Sequence, residues 1–138
     1  MIILDTNVIS ELMHPRPEWK VITWLDSQPR SSIWTTSITV FEIRFGLQLM
    51  PEGKRREAYH EGFGNLLRGI DERVVPFDGH AAQQAGELAA LRKMQGRPHE
   101  LRDTMIAGIV LSRHAILATR NKNHFADLSV SVIDPWAA

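Results

Sequence analysis

Short apolar runs that alternate with helix-length segments constrain the fold of this chain most strongly. The clearest runs are residues 2–4 and 115–119, which lack the polar–apolar alternation of a half-exposed strand. Residues 32–36, 74–77 and 130–133 are further strand candidates. Continuous apolar strands belong to parallel sheets, which need helical crossovers. The pattern therefore predicts an α/β protein with a central, mostly parallel sheet of four to five strands.

Helix signals fill the intervals between these runs. The sequence predicts helices over about 18–27, from after residues 37–39 to about 50, and over about 54–68, 78–94 and 99–113. Pro51 and Gly53 end the second of these, and Asp78 is a plausible cap for the fourth. The length of 138 residues corresponds to one domain, and we predict a single domain over residues 1–138.

The charge balance and the residue types exclude several classes of protein. The 16 basic and 16 acidic residues give zero formal net charge, which disfavours a protein that coats nucleic acid. Any nucleic-acid contact must be local or shared with a partner. The lack of cysteine excludes thiolate zinc sites, and no two of the six histidines are four residues apart on a helix. With no targeting signal or membrane-length apolar segment, the sequence predicts a cytoplasmic protein without membrane contact.

Asp5 follows the first predicted strand directly. The carboxyl ends of parallel strands are where α/β sheets build their ligand sites. A strand-to-helix Asp is also a common helix N-cap, so both interpretations of Asp5 stay open.

Glu42 lies in a mostly apolar helical segment. Helical spacing puts it on one face with Ile38, Phe45, Gly46 and Leu49, where a carboxylate is costly unless it is paired. The alternative is a capping box over residues 39–42, in which Glu42 binds the backbone of its helix start. Spacing alone does not decide between the two.

Asp103 is the third acid in an unusual place. Its helical face contains Ile106, Ala107 and Val110, so it points inward near a helix start, where interaction with the helix dipole is the alternative explanation. Converging carboxylates raise one another's pKa values, and a hard divalent cation relieves the repulsion. Oxygen ligands suit Mg²⁺ or Mn²⁺, which commonly serve phosphate chemistry.

Four motifs in this order carry a family resemblance. They are LDTNVISEL at residues 4–12, SITVFEIRFG at 37–46, DTMIA at 103–107 and ATRNKNHF at 118–125. On these segments, which span nearly the whole chain, the sequence resembles the PIN-domain ribonucleases. It is most similar to the VapC-type toxins of toxin–antitoxin pairs, in their FitB-like branch.

The resemblance implies an α/β/α sandwich and an Mg²⁺- or Mn²⁺-dependent endoribonuclease. Asp5, Glu42 and Asp103 would be the catalytic, metal-binding acids, with Thr6 and Ser37 beside them as polar support. Asn121 stands where the family often has a fourth acid. An Asn keeps a carbonyl ligand but loses a charge, so three acids imply one ion more clearly than two. Asn121 is also a candidate cap of the following turn.

We expect these acids to hold a metal that activates water for cleavage of single-stranded or loop RNA. Arg120 and Lys122 follow a predicted strand at the same edge and are candidate substrate contacts, although solvated surface charge is the simpler interpretation. The resemblance also implies a homodimer and a small antitoxin of VapB or FitA type, through which any DNA contact would be made. The alternative is a catalytically weakened PIN-like module that binds RNA or a partner.

Overall fold

A five-stranded parallel sheet forms the centre of the computed structural model, which describes residues 1–138. The strands run in the order β3-β2-β1-β4-β5, and every neighbouring pair is parallel. The prediction of a mostly parallel sheet is confirmed. The strands are β1 (Ile2–Leu4), β2 (Ile33–Thr36), β3 (Val74–Val75), β4 (Ile116–Ala118) and β5 (Val132–Ile133).

Four strands are shorter than their predicted runs, and β2 begins one residue late, at Ile33. β3 ends at Val75 instead of residue 77, because Pro76 has no N–H to donate to a ladder. β4 spans Ile116–Ala118 within the run 115–119, and β5 pairs only over Val132–Ile133. Apolar runs thus locate these strands correctly but overestimate the extent of their pairing.

Six α-helices connect the strands, and two short 3-10 helices, at Arg30–Ser32 and Lys122–Phe125, lie between them. Asp78 caps the fifth helix as predicted, since its Oδ1 accepts from the Ala81 N–H at 2.9 Å. No helix has the length and apolar character required to cross a bilayer. The helices are α1 (Thr6–Met13), α2 (Trp19–Asp26), α3 (Ser37–Leu49), α4 (Lys54–Gly69), α5 (Gly79–Met94) and α6 (Leu101–Arg113).

The alternating directions of the β1 side chains divide the core into two layers. Ile2 and Leu4 pack with buried residues of α1 to α4, whereas Ile3 packs with buried residues of α5 and α6. The chain is therefore the predicted α/β/α sandwich. The sheet grows from β1 toward β2 in one direction and toward β4 in the other, and a parallel sheet binds ligands at the carboxyl edge of such a switch point.

Candidate active site

Asp5 is a buried carboxylate at the carboxyl end of β1. The residue is only 3% exposed, and it takes the N-cap position of α1. Oδ1 accepts from the Thr6 N–H at 2.8 Å, and Oδ2 accepts from Thr119 Oγ1 at 2.7 Å. Burial raises the pKa of Asp5 from 3.8 to about 6, against the hydrogen bonds from Thr119 and Thr6. The negative charges of Asp103 and Glu42 raise it further.

Asn7 and Thr119 tie the ends of β1 and β4 together around Asp5. Asn7 Nδ2 donates to Thr119 Oγ1 at 3.1 Å and lies 3.3 Å from Asp5 Oδ2. Asn7 Oδ1 accepts from the Arg120 N–H, and Thr119 Oγ1 accepts from the Asn121 N–H. Asn7 and Thr119 were not among the predicted site residues. Their positions next to two predicted strand ends were the signal that could have identified them.

The structure rejects the capping-box interpretation of Glu42. α3 begins at Ser37, and its cap is Thr36, whose Oγ1 accepts from the Thr39 N–H at 3.0 Å. Glu42 Oε1 instead accepts from Thr6 Oγ1 at 2.9 Å, which links α3 to the helix that follows Asp5. Burial raises the pKa of Glu42, and the charge of Asp103 adds to this, whereas Thr6 and Arg102 oppose it.

The predicted apolar stripe around Glu42 does not face the core. Phe45 and Leu49 are 51% and 70% exposed, and Phe41 is 58% exposed. The buried positions of α3 are Thr39, Ile43 and Leu47, because the helix lies on the α1–α4 layer at its edge. Glu42 therefore lies at the boundary between this buried face and a surface-exposed apolar stripe, with a side chain 19% exposed.

Asp103 lies in the first turn of α6 and pairs with a histidine. Asp103 Oδ2 is 2.9 Å from His124 Nδ1, so the ring nitrogen donates to the carboxylate. The preceding residue, Arg102, does not pair with Asp103. Its Nε is 2.8 Å from Glu100 Oε1 and 3.9 Å from Glu42 Oε2, which places a positive charge beside the acids.

The three acids share one edge of the sheet and interact electrostatically, but they are not gathered around a single point. No group of three His, Asp or Glu side chains lies close enough to hold an ion as the side chains stand. Glu42 is instead held by Thr6, and Asp103 by His124. The chemistry of the set nevertheless fits a hard divalent cation, because all three groups are oxygen donors, and burial together with the nearby acids disfavours the charged forms of Asp5 and Glu42.

The other predicted site residues occupy different surroundings. Ser37 Oγ accepts from the Phe77 N–H at 3.0 Å and makes no hydrogen bond to the acids. Asn121 is the residue before the 3-10 turn Lys122–Phe125, but its side chain makes no capping hydrogen bond there. Arg120 and Lys122 are exposed, and the Arg120 guanidinium stacks 4.9 Å from the centre of the Trp136 ring.

Two depressions open beside the acids. The larger, of about 640 Å³, runs between α1, α3 and the start of α4, and its wall includes Thr6, Glu42 and Arg102. The smaller, of about 220 Å³, is lined by residues 120–124 and Asp134.

Fold and site together define an α/β sandwich with an acidic site at the carboxyl edge of its parallel sheet. A family model described as PIN domain matches residues 2–130. The chain is similar to VapC ribonuclease Y4jK of Sinorhizobium fredii, at 38% identity over 99% of this chain and 98% of that protein. It is also similar to Toxin FitB of Neisseria gonorrhoeae, at 34% identity over 99% of each chain.

A solved structure agrees with these sequence matches. The crystal structure of FitAcB from Neisseria gonorrhoeae superposes with a TM-score of 0.89, at 34% identity and with full coverage of both chains. The chain belongs to the PIN-domain family, among the relatives of VapC and FitB.

Proposed function

We propose that this chain is a metal-dependent endoribonuclease and the toxin of a type II toxin–antitoxin pair. The observation that carries the proposal is the buried Asp5 carboxylate, with Glu42 and Asp103 turned toward the same sheet edge. Such a set is unfavourable without a cation and supplies only oxygen ligands. The names of the relatives, VapC ribonuclease and Toxin FitB, point to the same activity.

Asp5, Glu42 and Asp103 would hold Mg²⁺ or Mn²⁺, and three acids suggest one ion. When bound, such an ion supplies positive charge at the scissile phosphate and lowers the pKa of a water molecule. The chain's own hydroxyl groups orient the carboxylates: Thr119 donates to Asp5, and Thr6 donates to Glu42. Asp5 Oδ1, which accepts only from the Thr6 N–H, and Glu42 Oε2, which accepts no hydrogen bond, keep lone pairs for a cation.

Single-stranded or loop RNA is the substrate that the surroundings fit best. Arg120 and Lys122 leave the carboxyl end of β4 beside Asp5 and are exposed to solvent, where they can contact phosphates. Trp136, whose ring stacks with Arg120, offers an aromatic surface next to the depression of about 220 Å³. The zero net charge restricts this contact to a local patch.

The groove of about 640 Å³ is the place we assign to the antitoxin. Its lining includes the apolar residues Ile43 and Leu47 of α3 together with Glu42, so it fits a peptide with a basic side chain that reaches Glu42. The exposed apolar residues Phe41, Phe45 and Leu49 of α3 give a surface for a homodimer. We further propose that the complex is cytoplasmic and contacts DNA only through the antitoxin.

Cleavage of total RNA with varied Mg²⁺ and Mn²⁺, followed by mapping of the ends, tests the activity. We expect metal-dependent cuts that leave 5′-phosphate and 3′-hydroxyl ends, as required for attack by water. Asp5→Asn should lower the rate at least about 10²-fold, because it removes a charge where the reaction needs a cation. Asp26→Asn is the matched control, since Asp26 is exposed at the end of α2.

Each other outcome has a distinct meaning. A 2′,3′-cyclic phosphate would show that the RNA 2′-hydroxyl was the nucleophile and would reject the water mechanism. RNA binding without cutting would favour the non-catalytic module, for which Asn121 is the argument. Cleavage that the cognate small protein does not inhibit would reject the toxin assignment but not the nuclease.

A further inference from the structure

The most deeply buried charge in the molecule belongs to Arg92, on the last turn of α5. Its side chain is 1% exposed and is the largest fully buried side chain in the protein. Burial of a guanidinium costs several kcal/mol unless every donor finds a good partner, and well-packed apolar residues often replace such pairs without loss of stability. The presence of Arg92 in this layer therefore calls for an explanation other than stability.

Arg92 joins two segments of the chain, residues 124–127 and α6, to α5. Nε and Nη2 donate to the two carboxylate oxygens of Asp127, each at 2.8 Å. Nη2 also donates to the backbone carbonyl of His124 at 2.9 Å, and Nη1 donates to Thr104 Oγ1 at 3.0 Å. The paired hydrogen bond from Arg92 lowers the pKa of Asp127, so that carboxyl stays charged.

Two of these partners border the contact between Asp103 and His124. Thr104 follows Asp103 on α6, and the His124 carbonyl belongs to the residue whose ring touches Asp103. The segment that carries His124, residues 120–128, is here called the post-β4 loop. It contains a single 3-10 turn and no strand ladder, so side chains must fix its position. Phe125, fully buried, supplies the apolar anchor, and Asp127 supplies the polar one.

We propose that Arg92 is a positioning residue of the active site, which holds the post-β4 loop so that His124 stays against Asp103. One guanidinium fixes both sides of that contact, through Thr104 on α6 and through His124 and Asp127 on the loop. The same loop carries Arg120, Asn121 and Lys122, so Arg92 sets the position of the RNA-facing side chains as well. The catalytic part of this inference rests on the proposed function.

The first test variant replaces the buried pair without leaving an unpaired charge. The double variant Arg92→Met with Asp127→Leu keeps volume and removes both charges. The single variant Asp127→Asn changes a side chain that is 35% exposed and therefore keeps the test open if the double variant does not fold. Arg73→Met is the matched control, because Arg73 also ties backbone carbonyls together, at Ile33 and Arg30, at the opposite edge of the sheet.

Three measurements separate positioning from general stability. They are the melting temperature, the imidazole ¹H–¹⁵N signals of His124 in metal-free protein, and kcat and KM for RNA cleavage. We expect both Arg92-pair variants to lose the ordered His124 Nδ1–H signal. Their kcat should fall about 10- to 100-fold, as for other residues that orient metal ligands. Arg73→Met should retain the His124 signal and kcat even if its melting temperature falls.

The inference is wrong if folded variants of the Arg92 pair keep the His124 signal and the wild-type kcat. It is also wrong if Arg73→Met lowers kcat as much as they do, since the effect would then follow stability alone. Failure of the proposed function is distinguishable, because wild-type protein would then cut no RNA under any metal condition. The His124 signal of the metal-free protein would still report whether Arg92 positions the loop.

Discussion

Different interactions accompany burial in two regions of the molecule, the α5–α6 pair and the acidic edge of the sheet. Around Gly108 the contact between α5 and α6 is made by small residues: a Cβ on Gly108 would lie 2.5 Å from the Ala81 carbonyl oxygen and 2.6 Å from Ala85 Cβ. At the acidic edge, the buried groups are polar, and every buried side-chain nitrogen or oxygen has a hydrogen-bond partner. The α5–α6 contact leaves no space for a larger side chain at Gly108. The acidic edge instead surrounds a carboxylate, whose charge burial disfavours, with hydrogen-bond donors.

This difference separates stability from function within one small protein. Close packing of α5 against α6 contributes favourable dispersion and apolar burial. The ionised Asp5, by contrast, opposes folding at neutral pH, since its pKa is raised to about 6. Substitutions in the two regions should therefore change the free energy of unfolding in opposite directions, although both alter buried residues.

The largest expected effect is on the packed side of the comparison. Gly108→Ala inserts a methyl group against the α5 backbone, which cannot move away as a side-chain end could. We expect a loss of about 3 kcal/mol in the free energy of unfolding, at the upper end for overpacked sites. Urea denaturation measures it.

Gly86→Ala is the control for Gly108→Ala. Gly86 lies on α5 with open space around its added Cβ, so alanine should stabilise the helix by up to about 1 kcal/mol. If Gly108→Ala also stabilised the protein, the α5–α6 contact would be looser than the structure describes.

The next largest effect has the opposite sign. An acid with a raised folded-state pKa adds stability below its unfolded pKa and loses it as pH rises through the folded value. Metal-free wild-type protein should therefore lose stability between about pH 4 and pH 6. The difference between 3.8 and about 6 sets an upper limit of about 3 kcal/mol. We expect Asp5→Asn to recover about 2 kcal/mol at pH 7.5 and to flatten this part of the profile.

Urea titrations at several pH values, with chelator present, provide this measurement. Asp26→Asn again serves as the exposed control and should retain the wild-type pH profile. A less stable Asp5→Asn protein at pH 7.5 would mean that the carboxylate's hydrogen bonds with Thr6 and Thr119 outweigh its desolvation. The acidic edge would then stabilise the fold, as the α5–α6 contact does, and the contrast between the two regions would not hold.

The strands and the layer order were predictable because they depend on local pattern. Short apolar runs located all five strands, and the position of Asp5 after the first of them followed directly. The helix starts were harder to predict. Thr36 and Thr39 are both suitable caps, and Thr36 is the cap because β2 ends at that residue. The exposure of Phe45 and Leu49 likewise depends on which face of α3 meets its neighbours.

The hydrogen bonds of the site could not be predicted, because they join residues far apart in the sequence. Thr119 and Asp5 are 114 residues apart, and Thr6 and Glu42 are 36 apart. Arg92 gave no signal either, since an arginine on a helix with mixed polarity is normally a surface residue. Its burial depends on Asp127, whose position is fixed only when the post-β4 loop folds back onto α5.

The smallest expected stability effect, that of Glu42→Gln, is the most informative about the acidic edge. The amide oxygen can still accept from Thr6 Oγ1, while the charge that burial disfavours is removed. The lost attraction to Arg102, 3.9 Å away, offsets part of that gain. We therefore expect the free energy of unfolding to stay within about 0.5 kcal/mol of the wild-type value. Thr36→Ala, which removes the true cap of α3, should cost about 1 kcal/mol and leave Mn²⁺ affinity unchanged. Weaker Mn²⁺ binding in Glu42→Gln, with normal binding in Thr36→Ala, would establish that the charged Glu42 carboxylate binds the metal. If its stability fell like that of Thr36→Ala while Mn²⁺ affinity stayed normal, Glu42 would belong to the scaffold.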